Sequence, residues 1–125
     1  MYKVLLADDE GIALDALKFI LNKDFHDCCT IRTAQTGRGV IEIADTFRPD
    51  IAVMDIQMPG INGMEAIKEI HNFSPSTIFI IVSAYDRFTY AKEAIRLGVM
   101  EYLTKPLDRE QFADAMRNAM RSIDK

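Results

Sequence analysis

Asp55 closes the apolar run Ile51-Ala52-Val53-Met54 and opens the turn Asp55-Ile56-Gln57-Met58-Pro59-Gly60, so its carboxylate is expected at the tip of a buried strand. Three other runs end in the same way. Val4-Leu5-Leu6-Ala7 stops at Asp8-Asp9-Glu10, Ile78-Phe79-Ile80-Ile81-Val82 stops at Ser83, and Met100-Glu101-Tyr102-Leu103-Thr104 stops at Lys105-Pro106. Carboxylates can ligate a cation or attack an electrophile, a hydroxyl can donate a hydrogen bond, and an ammonium can pair with an anion. Open α/β sheets bind ligands in the crevice outside the carboxyl ends of their strands. Each residue alone also has a plainer reading. Asp9 could cap a helix, Asp55 could close an Asx turn, Ser83 could be a satisfied loop hydroxyl, and Lys105 a solvated charge.

The elements that must position these groups alternate five times between short strand and amphipathic helix, which implies a parallel sheet covered on both faces. Strands are expected over Lys3 to Ala7, Cys28 to Ala34, Ile51 to Met54, Thr77 to Val82 and Met100 to Leu103. The first helix is expected from Gly11 to Lys23 with Ala13, Leu17, Ile20 and Leu21 inward, the second from Thr36 to Phe47 with Val40, Ala44 and Phe47 inward. Pro49 ends the second, and Pro75 ends a third that begins after Asn62-Gly63, where both residues suit the left-handed backbone of a tight turn. That third helix buries Ala66, Ile67 and Ile70. The fourth runs from Phe88 to Leu97, stopped by Gly98. In the last, Phe112, Met116, Ala119, Met120 and Ile123 recur at helical spacing and form one stripe toward the sheet.

With 125 residues the chain matches one domain, residues 1–125, with no room for a second. Its longest apolar runs fall far short of the roughly 20 residues that span a bilayer, and no signal peptide core is visible, so a cytoplasmic location is expected and no membrane partner. The net charge of −4 and the scattering of basic residues among acids argue against direct nucleic-acid binding. Cys28 and Cys29 are adjacent, so on a strand they point to opposite faces and make an improbable disulfide; one is expected in the core. His26 and His71 are expected to be exposed and without a role.

Taken together, Asp8-Asp9, Asp55 with Met58-Pro59-Gly60 and Asn62-Gly63, Ser83-Ala84, and Lys105-Pro106 resemble the receiver domain of bacterial response regulators over the whole chain. The resemblance implies a doubly wound, flavodoxin-like five-stranded parallel sheet of order 2-1-3-4-5 with helices on both faces. That order is the one known for a chemotaxis protein of this family. It would gather Asp8, Asp9 and Asp55 in one pocket. At about 5 Å and an effective dielectric near 20, each pair of carboxylates repels by roughly 3 kcal/mol, about two pKa units. Such a cluster needs a cation, and oxygen ligands with open positions suit Mg²⁺.

By the same resemblance Asp55 would accept a phosphoryl group from a phosphohistidine on a sensor histidine kinase. Asp9, Asp55 and the backbone carbonyl of Gln57 would ligate Mg²⁺ directly, and Asp8 through water. Lys105 would pair with the phosphoryl oxygens and Ser83 would hydrogen-bond one of them. Ser83 and Tyr102 would form the switch, Tyr102 turning inward and altering the surface of helix four, strand five and helix five, through which a homodimer could form. Lys105-Pro106 matches the family's cis peptide. The stretch from Ser83 to Lys92 is similar to receivers fused to AraC-type transcription factors, so DNA binding would belong to a C-terminal output domain absent from this chain. Neither Gln57 nor Tyr85, each two residues past a key site, is a carboxylate, and slow self-dephosphorylation is expected.

Two rival functions share the strand-end chemistry. A haloacid-dehalogenase-type phosphatase would want a second Asp where Gln57 stands and a substrate cap. A flavodoxin would want a Ser/Thr/Gly-rich phosphate loop, whereas Asp8-Asp9-Glu10 would repel a flavin phosphate.

Overall fold

The computed structural model describes residues 1–85 and 87–124, with the side chains of residues 87–89 left out. Asp86 and those three side chains, part of the Ser83 to Lys92 stretch, therefore lie outside the described residues. Strands and helices alternate: β1 Tyr2–Ala7, α1 Gly11–Asp24, β2 Cys29–Ala34, α2 Gly37–Phe47, β3 Ile51–Met54, α3 Gly63–Phe73, β4 Ile78–Ser83, α4 Arg87–Arg96, β5 Glu101–Thr104 and α5 Arg109–Asp124. The strands are parallel and ordered β2-β1-β3-β4-β5. This is the expected doubly wound arrangement.

Strand side chains alternate between two cores because successive residues point to opposite faces. Val4, Leu6, Ile51, Val53, Ile80 and Val82 meet α1 and α5 on one side. Leu5, Ala7, Ala52, Met54, Phe79 and Ile81 meet α2, α3 and α4 on the other. A fully buried side chain such as Phe79 or Phe112 contributes about 1.5–3 kcal/mol. The central strands β1, β3 and β4 are apolar on both faces for this reason, and an apolar strand buried on both sides is what makes its polar end residue conspicuous.

Several local expectations are corrected. Leu14, not Ala13, turns inward on α1, since Ala13 is only half-buried. Phe47 lies at the surface of α2 with Lys3 Nζ 5.9 Å and the Arg32 guanidinium 5.2 Å from its ring, so cations rather than core atoms cover it. Neither cysteine is buried: Cys28 is exposed and Cys29 half-buried, because β2 is an edge strand. Burial still pushes the Cys29 thiol up to about 11. His26 and His71 are exposed.

The Asn62-Gly63 pair does not form a left-handed turn. Asn62 is extended and caps α3, accepting from the Glu65 N–H at 3.0 Å while Glu65 accepts from the Asn62 N–H at 3.4 Å. The left-handed glycine of this loop is Gly60, with φ 76°. At the opposite end of the sheet, Arg48 adopts φ 49° after α2, and its guanidinium donates to the Phe73 carbonyl at the end of α3. Two polar clamps hold α5. Arg109 pairs with both carboxylate oxygens of Asp24, at 3.2 and 2.7 Å, and the Tyr2 hydroxyl donates to Asp124 at 2.5 Å. Among the described residues no helix is long and apolar enough to cross a membrane.

Candidate functional site

Strand register builds the site. Ala7 pairs with Met54, so the next residues, Asp8 and Asp55, emerge side by side, and the Asp55 N–H donates to the Ala7 carbonyl at 2.9 Å. Ser83 pairs with Thr104 on β5, and the following Lys105 donates its N–H to the Ser83 carbonyl at 2.8 Å. The Lys105–Pro106 bond is cis, as the resemblance implied.

Lys105 Nζ donates to Asp8 Oδ2 at 2.7 Å and to Asp55 Oδ2 at 2.9 Å, so one ammonium joins two carboxylates from neighbouring strands. Asp8 is 2% and Asp55 5% exposed. Each carboxylate gives its other oxygen to a backbone amide two residues on, Asp8 to Glu10 at 3.0 Å and Asp55 to Gln57 at 3.2 Å. The Asx-turn reading of Asp55 is thus correct as geometry, and it orients the same side chain that meets Lys105. Burial pushes the Asp55 carboxyl above its ordinary range, against the Lys105 hydrogen bond that pulls it down. Burial also works to lower the Lys105 ammonium, but its hydrogen bonds to Asp8 and Asp55 outweigh this and hold it above the ordinary lysine value.

Asp9 is exposed and takes no part in the ammonium bridge; its carboxylate lies with those of Asp8 and Glu10, with oxygens all within 4.8 Å of one another. Glu10 was not singled out from the sequence, and it rather than Asp9 is the N-cap residue of α1, without a side-chain cap bond. The donor set fits a hard divalent cation such as Mg²⁺. Asp8 and Asp55 share the Lys105 ammonium while Asp9 and Glu10 lie beside Asp8; all four offer oxygen, and Asp8 and Asp55 are almost fully removed from water.

Ser83 is fully buried, and its Oγ accepts from the Tyr85 N–H at 3.2 Å. Tyr102 is buried on β5 and donates its hydroxyl to the Tyr85 carbonyl at 3.2 Å. Tyr85 itself is 38% exposed, with its ring 5.3 Å from that of Tyr90.

Gly63 has a role that spacing did not reveal. A Cβ there would stand 2.1 Å from the Asp55 carbonyl oxygen and 2.8 Å from Ile56 Cα, while the Gly63 N–H donates to the Ile56 carbonyl at 2.7 Å. The start of α3 rests directly on the backbone of Asp55, and only glycine leaves room for it.

The family model described as response regulator receiver domain matches residues 4–117. The uncharacterized transcriptional regulatory protein YesN of Bacillus subtilis (strain 168) is 38% identical over 98% of this chain and 33% of its own length. The transcriptional regulatory protein HptR of Staphylococcus aureus (strain NCTC 8325 / PS 47) is 32% identical over 98% of this chain and 48% of its own. The chain spans between a third and about half of these relatives. Among solved structures, the receiver domain of AraT, a response regulator from Geobacillus stearothermophilus, superposes with a TM-score of 0.88 at 31% identity, covering 98% of this chain and 95% of that one. A receiver domain from Clostridium thermocellum gives 0.86 at 28% identity, covering 99% and 98%.

Proposed function

From the premise that this chain belongs to the response regulator receiver domain family, we propose that Asp55 is its phosphoacceptor, charged by a sensor histidine kinase. The observation that carries the reading is the Lys105 ammonium held between Asp8 and Asp55. It supports a site built for developing negative charge beside a carboxylate nucleophile. An Asp55 carboxylate oxygen attacks the phosphorus of a phosphohistidine; the new P–O bond forms as the P–N bond breaks, and the imidazole leaves with its electron pair. Lys105 follows the phosphoryl oxygens, exchanging a carboxylate partner for a phosphoryl one. The Ser83 hydroxyl, which accepts from Tyr85, keeps its own proton to donate to one of them. Phosphoryl transfer asks chiefly for positioning and charge stabilisation, and these side chains offer both.

Asp9, Asp55 and the Gln57 carbonyl would hold Mg²⁺ directly and Asp8 through water; the ion, when bound, supplies neutralisation of the carboxylates and of the incoming phosphate. Phosphorylation adds charge and strong acceptors at one spot, and Ser83 with Tyr102 conveys it to the surface formed by α4, β5 and α5. That surface serves as the contact with an output module or a second copy. Since the relatives are transcriptional regulators about two to three times the chain's length, control of transcription through a separate DNA-binding part, of AraC type, is the output we assign. The protein acts in the cytoplasm.

The test is incubation with acetyl phosphate and Mg²⁺, comparing the intact chain with Asp55→Asn by mass. The intact chain should gain one phosphoryl group and the variant none. A stable adduct on both would remove Asp55 as the acceptor.

A further inference from the structure

Gly37, the first residue of α2, is buried against the far end of the loop that follows Asp55. A Cβ on Gly37 would lie 2.0 Å from the carbonyl oxygen of Ile61 and 2.8 Å from its carbonyl carbon and Cβ. Its backbone is ordinary helix, so what it requires is space rather than an unusual φ. Thr36 fixes this first turn by accepting from the Gly39 N–H at 3.0 Å. The same junction also touches the other acidic loop. The Ala34 carbonyl accepts from the Asp8 N–H at 3.2 Å, and Gln35 Nε2 donates to the Asp9 carbonyl at 3.5 Å. The loop after Asp55 is therefore seated at two points with no room for a methyl group, Asp55 against Gly63 and Ile61 against Gly37.

We propose that Gly37 is a positioning residue for the phosphoacceptor loop. Its bare Cα sets how deeply the Ile61 end seats, and so where Asp55 and the Gln57 carbonyl stand relative to Asp8 and Asp9. The inference rests on the reading of Asp55 as phosphoacceptor. To regain ordinary contact after Gly37→Ala, the Ile61 backbone must retreat by roughly 1 Å, a misplacement that can cost up to about 100-fold in rate.

The matched control is Gly39→Ala on the same helix, where a Cβ would meet only the Thr36 Oγ1 at 3.0 Å and Ala34 Cβ at 3.7 Å. Labelling rate with acetyl phosphate, the Mg²⁺ midpoint and the melting temperature are measured for both variants and the intact chain. Gly37→Ala should label about tenfold or more slowly and bind Mg²⁺ more weakly, with Gly39→Ala within about twofold of the intact chain. A lower melting temperature with unchanged rate and Mg²⁺ midpoint would reduce Gly37 to a packing residue and overturn the proposal. Should Gly37→Ala not fold, amide exchange of the intact chain decides: Mg²⁺ with acetyl phosphate should slow the Gly39 and Val40 amides together with residues 56–62. Slowing confined to 56–62 overturns the coupling. An intact chain that never labels fells the phosphoacceptor reading and this one together, whereas intact and Gly37→Ala chains that label alike fell this one alone.

Discussion

The Tyr102 hydroxyl donates to the Tyr85 carbonyl at 3.2 Å, tying the edge strand β5 to the segment that leaves β4. Because the Tyr85 N–H is already given to Ser83 Oγ, both backbone polar groups of Tyr85 are held by side chains of residues assigned to the switch. Tyr102→Phe keeps the ring and deletes this donor. The expected loss is about 1 kcal/mol, read as a fall of a few degrees in melting temperature. An unchanged melting curve would mean the bond contributes nothing to holding the segment.

Mg²⁺ should raise the melting temperature by relieving repulsion among Asp8, Asp9, Glu10 and Asp55. At a concentration about 100 times the dissociation constant the gain is about 2.7 kcal/mol. Asp9→Ala should abolish it, since Asp9 is the proposed direct ligand that is exposed and outside the Lys105 bridge. A metal-independent melting temperature in the intact chain would count against the pocket.

Hydrolysis of the phosphorylated protein should be slow. Neither Gln57 nor Tyr85 is a carboxylate, and the Tyr85 ring, 38% exposed and tilted by 56° against that of Tyr90 at 5.3 Å, can shield the site from water. Gln57→Glu should speed loss of the label by about tenfold or more, the lower end of what a placed general base contributes being near a hundredfold. Identical decay curves for the two proteins would show that this position does not govern water.

The α5 clamps predict opposite pH signatures. The hydrogen bond to Asp124 pushes the Tyr2 phenol up to about 12 from 10.0. A raised folded pKa means a contribution fully present below pH 10.0 and lost as pH climbs through about 12. Tyr2→Phe should therefore flatten the alkaline fall of melting temperature in that window. The Arg109 hydrogen bonds hold Asp24 below its ordinary 3.8, so its contribution is present above that value and lost as pH drops beneath it. Asp24→Asn should flatten the acid side. Parallel curves for variant and intact chain on either side would discount that clamp.

The strand ends were legible because β1, β3 and β4 are buried on both faces, which leaves an unbroken apolar run whose first polar residue marks the sheet edge. Asp8, Asp55 and Ser83 stand out in that way, Lys105 stands out only as the end of the mixed run of the edge strand β5, and the order of the strands comes from resemblance. Periodicity failed where neighbours decide. Ala13 and Leu14 are one residue apart on α1, and the sheet takes the larger. Phe47 fits the inward stripe of α2, yet Lys3 and Arg32 cover it from neighbouring strands. Local turn chemistry makes Gly63 look like a turn glycine, whereas its constraint is the Asp55 carbonyl eight positions back. Gly37 left no signal, since nothing in spacing announces that a helix start must fit under Ile61. Glu10 is visible in the sequence as part of the acidic run Asp8-Asp9-Glu10, but its carboxylate's approach to those of Asp8 and Asp9 depends on how the chain turns into α1.

The bond between Tyr2 and Asp124 joins positions 122 apart, and both lie at the pole where β1 begins, not where it delivers Asp8. A six-residue strand is about 20 Å long. The last turn of α5 is thus pinned a full strand length from Asp55, and any change of charge there must cross the sheet to be felt at this clamp.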